Sequence, residues 1–364
     1  MRAPDYQGGG LVNLVAELEQ RLTGSSAWLG LEDRRARLIP PADSFVLFLF
    51  DGLGDHQLVH PAAVGLAACK QACLDSPFPS TTTVSLASVS TGLPPSRHGL
   101  LGYQLWMPEL QMVVNTLKWS TLWGDPVAYE FEDMLPSPNL WERLTASGIE
   151  AITVQPGDFS DSPLTRTLYR GARFEPAYTM EEMVGATVAL ASRAGRLVMA
   201  YLPHVDVAAH TKGQGSREYL DALRLVGEVW DRVTSRLPNG VVAIGTSDHG
   251  HLDVPRELQV DIPRWAEGVL TFYGDPRVTF ARGEVEAAVN LAEQLPATWM
   301  PLEAMLDWWG PSPRHPRFDE RAPAGALVAD PGHTLLHRHS DRRLVGAHGG
   351  LMDEELSVPL LIAP

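Results

Sequence analysis

The sequence predicts an α/β fold, a mostly parallel central sheet sandwiched by helices, with a smaller α+β cap subdomain inserted into it. Three observations predict this. Continuous apolar, β-rich runs recur along the chain, as expected for strands buried on both faces of a parallel sheet. Helical stretches lie between them, which implies right-handed crossovers that cover the sheet on both sides. The character then changes after residue 250, so the core is expected over residues 1–251 and 337–364 and the cap over 252–336.

The elements follow in order. Leu11 to Leu22 reads as an amphipathic helix, its apolar positions interrupted by Glu17, Glu19 and Arg21. Ser44 to Phe50, SFVLFLF, is a buried central strand that ends in the turn DGLGDHQL. AACKQACL places Cys69 and Cys73 four apart, as if on one helix face. Pro138 to Ala146 is a helix with proline near its first turn and Gly148 as its stop. Strands are expected at Glu150–Val154, Arg196–Leu202 and Gly240–Gly245, with a long amphipathic helix over Glu218–Leu237. In the insertion, Gly268 to Ala281 reads as two short strands about a Gly-Asp-Pro turn, and Glu284 to Leu295 as a helix. Trp299, Trp308 and Trp309 are expected to form the insertion's own small core, and Pro311 to Pro323 to be irregular. No internal repeat or low-complexity segment interrupts this plan.

The bulk properties narrow the function. A chain of 364 residues with 45% hydrophobic content can bury a sizeable core. A net charge of −15 argues against non-specific nucleic-acid or anionic-membrane binding. It leaves room for an anionic substrate, because a bound metal ion can be the largest local positive charge. The two cysteines read as free thiols of a reducing compartment. The first residues have no apolar signal core, and no run approaches the roughly 18 apolar residues of a membrane span. A cytoplasmic location is the expectation.

The chemistry is expected at strand ends. Asp51 follows the first strand, Asp206 and His210 follow the strand ending at Leu202, and Asp248 and His249 follow the strand ending at Gly245. His348 lies in GAHGG, before the closing apolar run. In a parallel α/β sheet such positions gather along one edge, where ligands bind. Carboxylates and neutral imidazoles are good ligands for zinc, manganese and related divalent ions. His56, His60, His98, His204, His251, His333, His337 and His339 are read as solvated, packed or supporting side chains. FPSTTTVS, residues 78–85, sets three threonines before the helical sequence VSLASVSTG, so Thr82 would sit beside a helix N-terminus. Exposed N–H groups there favour a phosphoryl anion. A hydroxyl needs a base or a metal to act as a nucleophile, and two divalent ions about 3.5–4 Å apart would serve an in-line displacement.

This pattern resembles the alkaline phosphatase superfamily, and within it the type I phosphodiesterase / nucleotide pyrophosphatase branch. The resemblance rests on LFDGLG at 49–54, FPSTTTVSLASVSTGLPPSRHG at 78–99, DVAAH at 206–210, SDHG at 247–250 and AHGG at 347–350. Aligning Pro79, Thr91-Gly92-Leu93 and His98-Gly99 with the family pattern puts the nucleophile at Thr82. The resemblance implies an alkaline phosphatase-like fold and a two-metal phosphohydrolase that cleaves phosphodiester or nucleotide pyrophosphate bonds through a covalent phospho-threonine. It implies one metal on Asp51, Asp248 and His249 with Thr82, and a second on Asp206, His210 and His348. Zinc is the metal usually found in the family, and manganese or iron suit the same donors. The position where the family often has an asparagine contacting a phosphoryl oxygen is Tyr103 here, with Asn115 a spatial replacement. The same core serves phosphomonoesters and phosphonates, and catalytically inactive relatives occur on such folds, so these are the alternatives. The expected partner is a small phosphorylated molecule, a nucleotide among the candidates.

Overall fold

The structure, a computed structural model, describes residues 2–363, the side chain of residue 132 excepted. Its centre is a seven-stranded sheet built from β1 (Ser44–Phe50), β2 (Lys70–Asp75), β3 (Glu150–Pro156), β4 (Arg173–Ala177), β5 (Arg196–Leu202), β6 (Val241–Thr246) and β7 (Ser357–Ile362). The strand order is β2-β7-β6-β1-β5-β3-β4. β6, β1, β5, β3 and β4 pair in parallel, whereas β7 runs antiparallel to both β2 and β6.

The apolar runs are continuous because both faces of the sheet are covered. Along β1, Phe45, Leu47 and Leu49 face one cluster, with helices α1 (Leu11–Thr23), α2 (Thr82–Thr91) and α3 (Leu140–Ala146). Val46, Phe48 and Phe50 face the other, with α4 (Met180–Ala191), α5 (His204–Lys212) and α6 (Arg217–Thr234). Trp230 of α6 meets Phe48 edge-on at 5.3 Å, which anchors that helix over the centre of the sheet. Ser216 caps α6 by accepting from the Tyr219 N–H at 3.1 Å.

Several local expectations are corrected. Cys69 and Cys73 do not share a helix: Cys69 ends the short helix Val64–Ala68, and Cys73 lies in β2, opposite Pro359 of β7. Both thiols are free. Antiparallel pairing with β7 makes a strand of KQACLD, a segment of little β propensity. The helix expected from Pro138 starts at Leu140. Asn139 caps it by accepting from the Glu142 N–H, and Glu142 accepts from the Asn139 N–H in return.

The insertion carries a four-stranded antiparallel sheet in the order Leu270–Asp275, Val278–Gly283, Gly325–Ala329, Ala297–Pro301. One face of this sheet packs under the helix Val285–Ala292 through Phe272, Ala281, Leu291 and Leu327. The other face joins the core cluster through Tyr273, Phe280 and Val328. The tryptophans are corrected as well. Trp299 packs on the insertion's own cluster, but Trp308 and Trp309 each lie 5.1 Å from Phe78 in the segment leading to α2. Trp309 is fully buried and donates its indole N–H to Leu101 O at 3.0 Å. Trp309→Ala is expected to lower unfolding stability by about 3–5 kcal/mol, read from urea titration. A loss below about 1 kcal/mol, the scale of an ordinary surface change, would mean this seam is not a working core. Among the described residues no helix is long and apolar enough to cross a membrane.

Candidate metal centre

The three central strands β6, β1 and β5 end side by side and each delivers an acidic group. Asp51, just past β1, donates its N–H to Leu202 O at 3.0 Å, and its own carbonyl accepts from the Asp206 N–H at 3.0 Å. Gly52 donates its N–H to Asp248 Oδ1 at 3.1 Å. Residue 52 has φ +74°, and a Cβ there would stand 2.8 Å from the Asp206 Cα, so glycine is what lets the turn after β1 touch α5. Asp206 and His210 occupy successive turns of α5, one above the other. His348 comes from the far side of the insertion, whose two ends are joined by the antiparallel pair Leu252↔Ala347 and Asp253↔Gly346.

Two clusters of potential ligands result: Asp51, Asp248 and His249, and Asp206, His210, His251 and His348. Within each, the ligand atoms lie within 4.8 Å of one another. His249 Nε2 is 3.4 Å from Asp51 Oδ1 and 3.5 Å from Asp248 Oδ2. His210 Nε2 is 3.3 Å from Asp206 Oδ1 and 3.0 Å from His348 Nε2. The His249 and His348 rings stack at 3.7 Å, which joins the two clusters.

The outer contacts fix which atoms face inward. His210, His249 and His348 donate Nδ1–H to the carbonyls of Gly346, Gly250 and Ser80 at 2.9, 2.9 and 2.8 Å. Each Nε2 therefore carries its lone pair into the site, the orientation that metal-binding histidines need. Two such lone pairs meet at 3.0 Å between His210 and His348, an approach that a shared cation would make favourable. The carboxylates are divided in the same way. Asp51 Oδ2 accepts from the Tyr201 hydroxyl, and Asp248 Oδ1 accepts from two backbone N–H groups. Asp51 Oδ1, Asp248 Oδ2 and Asp206 Oδ1 are buried without a hydrogen-bond partner. Burial, followed by the charges of Asp248 and Asp206, pushes the Asp51 carboxyl well above its usual range. Buried unpartnered oxygens beside inward imidazole nitrogens fit divalent cations, which would supply the missing charge and the missing partners.

The three threonines separate cleanly. Thr81 is the residue before α2, and its hydroxyl donates to Asp275 Oδ1 at 3.2 Å. The Thr83 hydroxyl accepts from Thr116 at 3.0 Å and is buried. Thr82, the first residue of α2, is partly exposed, and its Oγ1 lies 3.2 Å from His249 Nε2. Of the three it is the hydroxyl that faces the ligand clusters. The unpaired N–H groups of the first turn of α2 lie around it.

A cavity of about 360 Å³ opens over this edge, lined by Thr82, Tyr103, Asp206, His210, Asp275, His337, His348 and neighbouring residues. None of its described lining residues is lysine or arginine. Burial pushes the Asp275 carboxyl up to about 7 and raises the Tyr103 phenol above its usual value, so Tyr103 is a neutral donor. Asn115 does not line the cavity. Its Nδ2 donates to Tyr103 Oη at 3.0 Å, and its Oδ1 accepts from the Leu117 and Lys118 N–H groups. It braces Tyr103 and is too engaged to take that residue's place. Tyr103 immediately precedes a three-stranded sheet, Gln104–Met107, Met112–Asn115 and Ser120–Thr121, in which Asn115 pairs with Gln104.

The expected ligands Asp51, Asp206, His210, Asp248, His249 and His348 all fall in the two clusters. His251 was expected among the packed or supporting histidines and lies in the second cluster instead. The available signal was its place two residues after His249, where an extended segment turns alternate side chains the same way. His98 stays in the core, with Nε2 3.0 Å from Ser88 Oγ.

The profile of the type I phosphodiesterase / nucleotide pyrophosphatase family matches residues 45–351. No curated protein sequence matches the chain. Among solved structures, the chain is similar to murine ectonucleotide pyrophosphatase / phosphodiesterase 5, at TM-score 0.66 and 17% identity with 87% of each chain covered. An inactive variant of that murine protein in complex with AMP gives TM-score 0.64 at 17% identity, again with 87% of each chain covered. Phosphonoacetate hydrolase from Sinorhizobium meliloti, in complex with phosphonoformate, gives TM-score 0.67 at 16% identity, covering 89% of this chain and 91% of that one. At these identities the likeness is one of fold.

Proposed function

This chain belongs to the type I phosphodiesterase / nucleotide pyrophosphatase family of the alkaline phosphatase superfamily, and on that premise we propose that it hydrolyses phosphodiester or nucleotide pyrophosphate bonds through a phospho-threonine at Thr82. The observation that carries the reading is the selective exposure of Thr82, with Thr81 and Thr83 engaged elsewhere. Asp51, Asp248 and His249 with Thr82 would hold one divalent cation, and Asp206, His210 and His348 the other. Zinc is the first candidate, with manganese or iron accepted by the same donors. Cations held there would lower the pKa of the Thr82 hydroxyl and offset charge on the phosphoryl oxygens during in-line displacement.

The chain's own groups perform the remaining tasks. Thr82 Oγ1 gives its proton to solvent and forms the bond to phosphorus as the P–O bond of the leaving group breaks, and the leaving oxygen keeps that electron pair. Water then attacks phosphorus and loses one proton, the bond to Oγ1 breaks, and Oγ1 takes up a proton, which restores Thr82. The first N–H groups of α2, which begins at Thr82 with no side chain capping it, would orient the phosphoryl group. The neutral Tyr103 hydroxyl, held by Asn115, is placed to donate a hydrogen bond to the substrate.

The cavity supports a diester over the alternatives. A diester carries one negative charge into the site, a monoester about 1.5 to 2, and phosphonoacetate adds a carboxylate. The described lining offers no lysine or arginine, so a singly charged diester fits it better than a monoester, a phosphonate or a nucleotide pyrophosphate, whose second phosphoryl group is also anionic. The AMP bound by the murine structure supports a nucleotide among the candidate substrates. Bis-p-nitrophenyl phosphate is expected to be turned over at least about tenfold more efficiently than p-nitrophenyl phosphate, a difference of ~1.4 kcal/mol in the barrier, with phosphonoacetate left intact. Faster turnover of the monoester, or release of phosphate from phosphonoacetate, would overturn the diester assignment.

A further inference from the structure

The cavity over the site offers a ligand more than a place for phosphorus. Beyond the threonines and the ligand clusters, its wall includes Leu117, Val207, Val254, Leu336, Leu344 and Val345. These come from separate parts of the chain: the loop after Asn115, α5, the start of the insertion, the strand Thr334–Leu336 and the return toward His348. Leu117 is 42% and Val207 54% exposed. Large apolar side chains scattered singly over a surface are ordinary. Here the two exposed ones, with the buried Val254 and Leu336, line one cavity that also holds Thr82.

Polar side chains of the same wall are engaged by the protein itself. Gln259 Nε2 donates to the Val254 and Leu344 carbonyls at 3.0 and 3.2 Å. Thr211 Oγ1 donates to Val207 O at 2.7 Å, and Ser340 Oγ accepts from the His337 N–H at 3.1 Å. Gln104 Oε1 accepts from the Gly274 N–H at 3.1 Å, and His339 Nε2 from Arg338 Nε at 3.0 Å. A nucleoside brings sugar hydroxyls and base edges that lose water on entry and need protein partners in return. Thr334 Oγ1 is buried without a partner, but one hydroxyl cannot serve a whole nucleoside. An aliphatic chain asks only to be removed from water.

From these walls we infer that the cavity is a subsite for an aliphatic ester: the group retained on phosphorus through both steps is an alkyl chain held against Leu117, Val207, Val254, Leu336, Leu344 and Val345. The leaving group departs in line with Thr82 Oγ1 and must move away, so an enclosing wall suits the ester that stays. The products are then the alcohol or phenol of the leaving group and an alkyl phosphate monoester. At about 360 Å³ the cavity is at the small end of ligand sites, which run from roughly 300 to 1,000 Å³. The inference rests on the diesterase reading given above and narrows its substrate, but can fail without it.

A series of p-nitrophenyl alkyl phosphates, from methyl to octyl, tests it on the zinc-loaded chain, because the leaving group stays constant. Over the first carbons kcat/KM should rise about fourfold per methylene, the effect of burying one CH₂. A rise that stops within a few carbons marks a free short-chain ester, and one that continues to octyl marks a lipid-like chain; either supports the inference. A change of less than about twofold from methyl to butyl, far below the effect of burying those carbons, overturns the inference and leaves the diesterase reading standing. No turnover of any member overturns both. Faster turnover of the p-nitrophenyl ester of thymidine monophosphate than of the best alkyl ester would put a nucleoside in the cavity and also overturn the inference. Replacing Leu117→Ser and Leu344→Ser together should lower kcat/KM for the butyl ester about tenfold more than for the methyl ester. An equal fall for the two esters overturns the inference.

Discussion

Thr82→Ala is expected to lower kcat by about 10³-fold or more, the scale on which removing a nucleophile acts, while two cations remain bound. The physical reason is local. Thr81 is committed to Asp275 and cannot move into the vacated place without leaving a buried carboxylate oxygen unsatisfied, and Thr83 is buried against Thr116. The substitution removes one hydroxyl and one methyl group from the partly exposed first residue of α2, so the helix and the buried ligands should persist. Unchanged unfolding midpoint and metal content, with turnover gone, is the expected combination. Rapid quench of the wild-type chain with a slow diester should also yield, on the peptide containing Thr82, the phosphoryl group still carrying the substrate's retained ester. Retained turnover in Thr82→Ala would move the nucleophile to a neighbour and undo the assignment of the turn.

The second large effect is expected from metal removal. EDTA should abolish activity, and zinc or manganese should restore it. Stability should respond as well, because Asp51, Asp248 and Asp206 crowd together and three of their oxygens are buried without partners. A ligand at about 1,000 times its Kd that binds only the folded chain adds ~4 kcal/mol, so added zinc should raise the unfolding midpoint markedly. His348→Ala should weaken one cation only, by more than the roughly 10–100-fold typical of an outer partner. Full activity after exhaustive chelation would remove the cations from the mechanism.

The parts of the fold that were legible in the sequence are those dictated by burial on two faces. SFVLFLF and RLVMAYL read as strands because α1 to α3 cover one side of the sheet and α4 to α6 the other. The edge strand β2 was not legible, because KQACLD is half-exposed and owes its conformation to β7, which arrives at the end of the chain. The Gln104–Thr121 sheet was missed in the same way, since its strands are two to four residues long and pair with one another. At the site, residues that end β1, β5 and β6 could be found because strand ends converge by topology. His251 was passed over although it stands two residues after His249, since its place beside His348 also depends on a two-residue ladder to Gly346–Ala347 that no local pattern announces. The place of Trp308 and Trp309 against Phe78 is likewise a long-range packing fact.

The central claim is that two clusters of ligands meet beside Thr82 and bind a pair of divalent ions. Elemental analysis of the wild-type chain, stripped with EDTA, reloaded with excess zinc and dialysed, tests this most directly. The account predicts two zinc ions per chain, together with recovered diesterase activity. An active chain holding one zinc or none would contradict it.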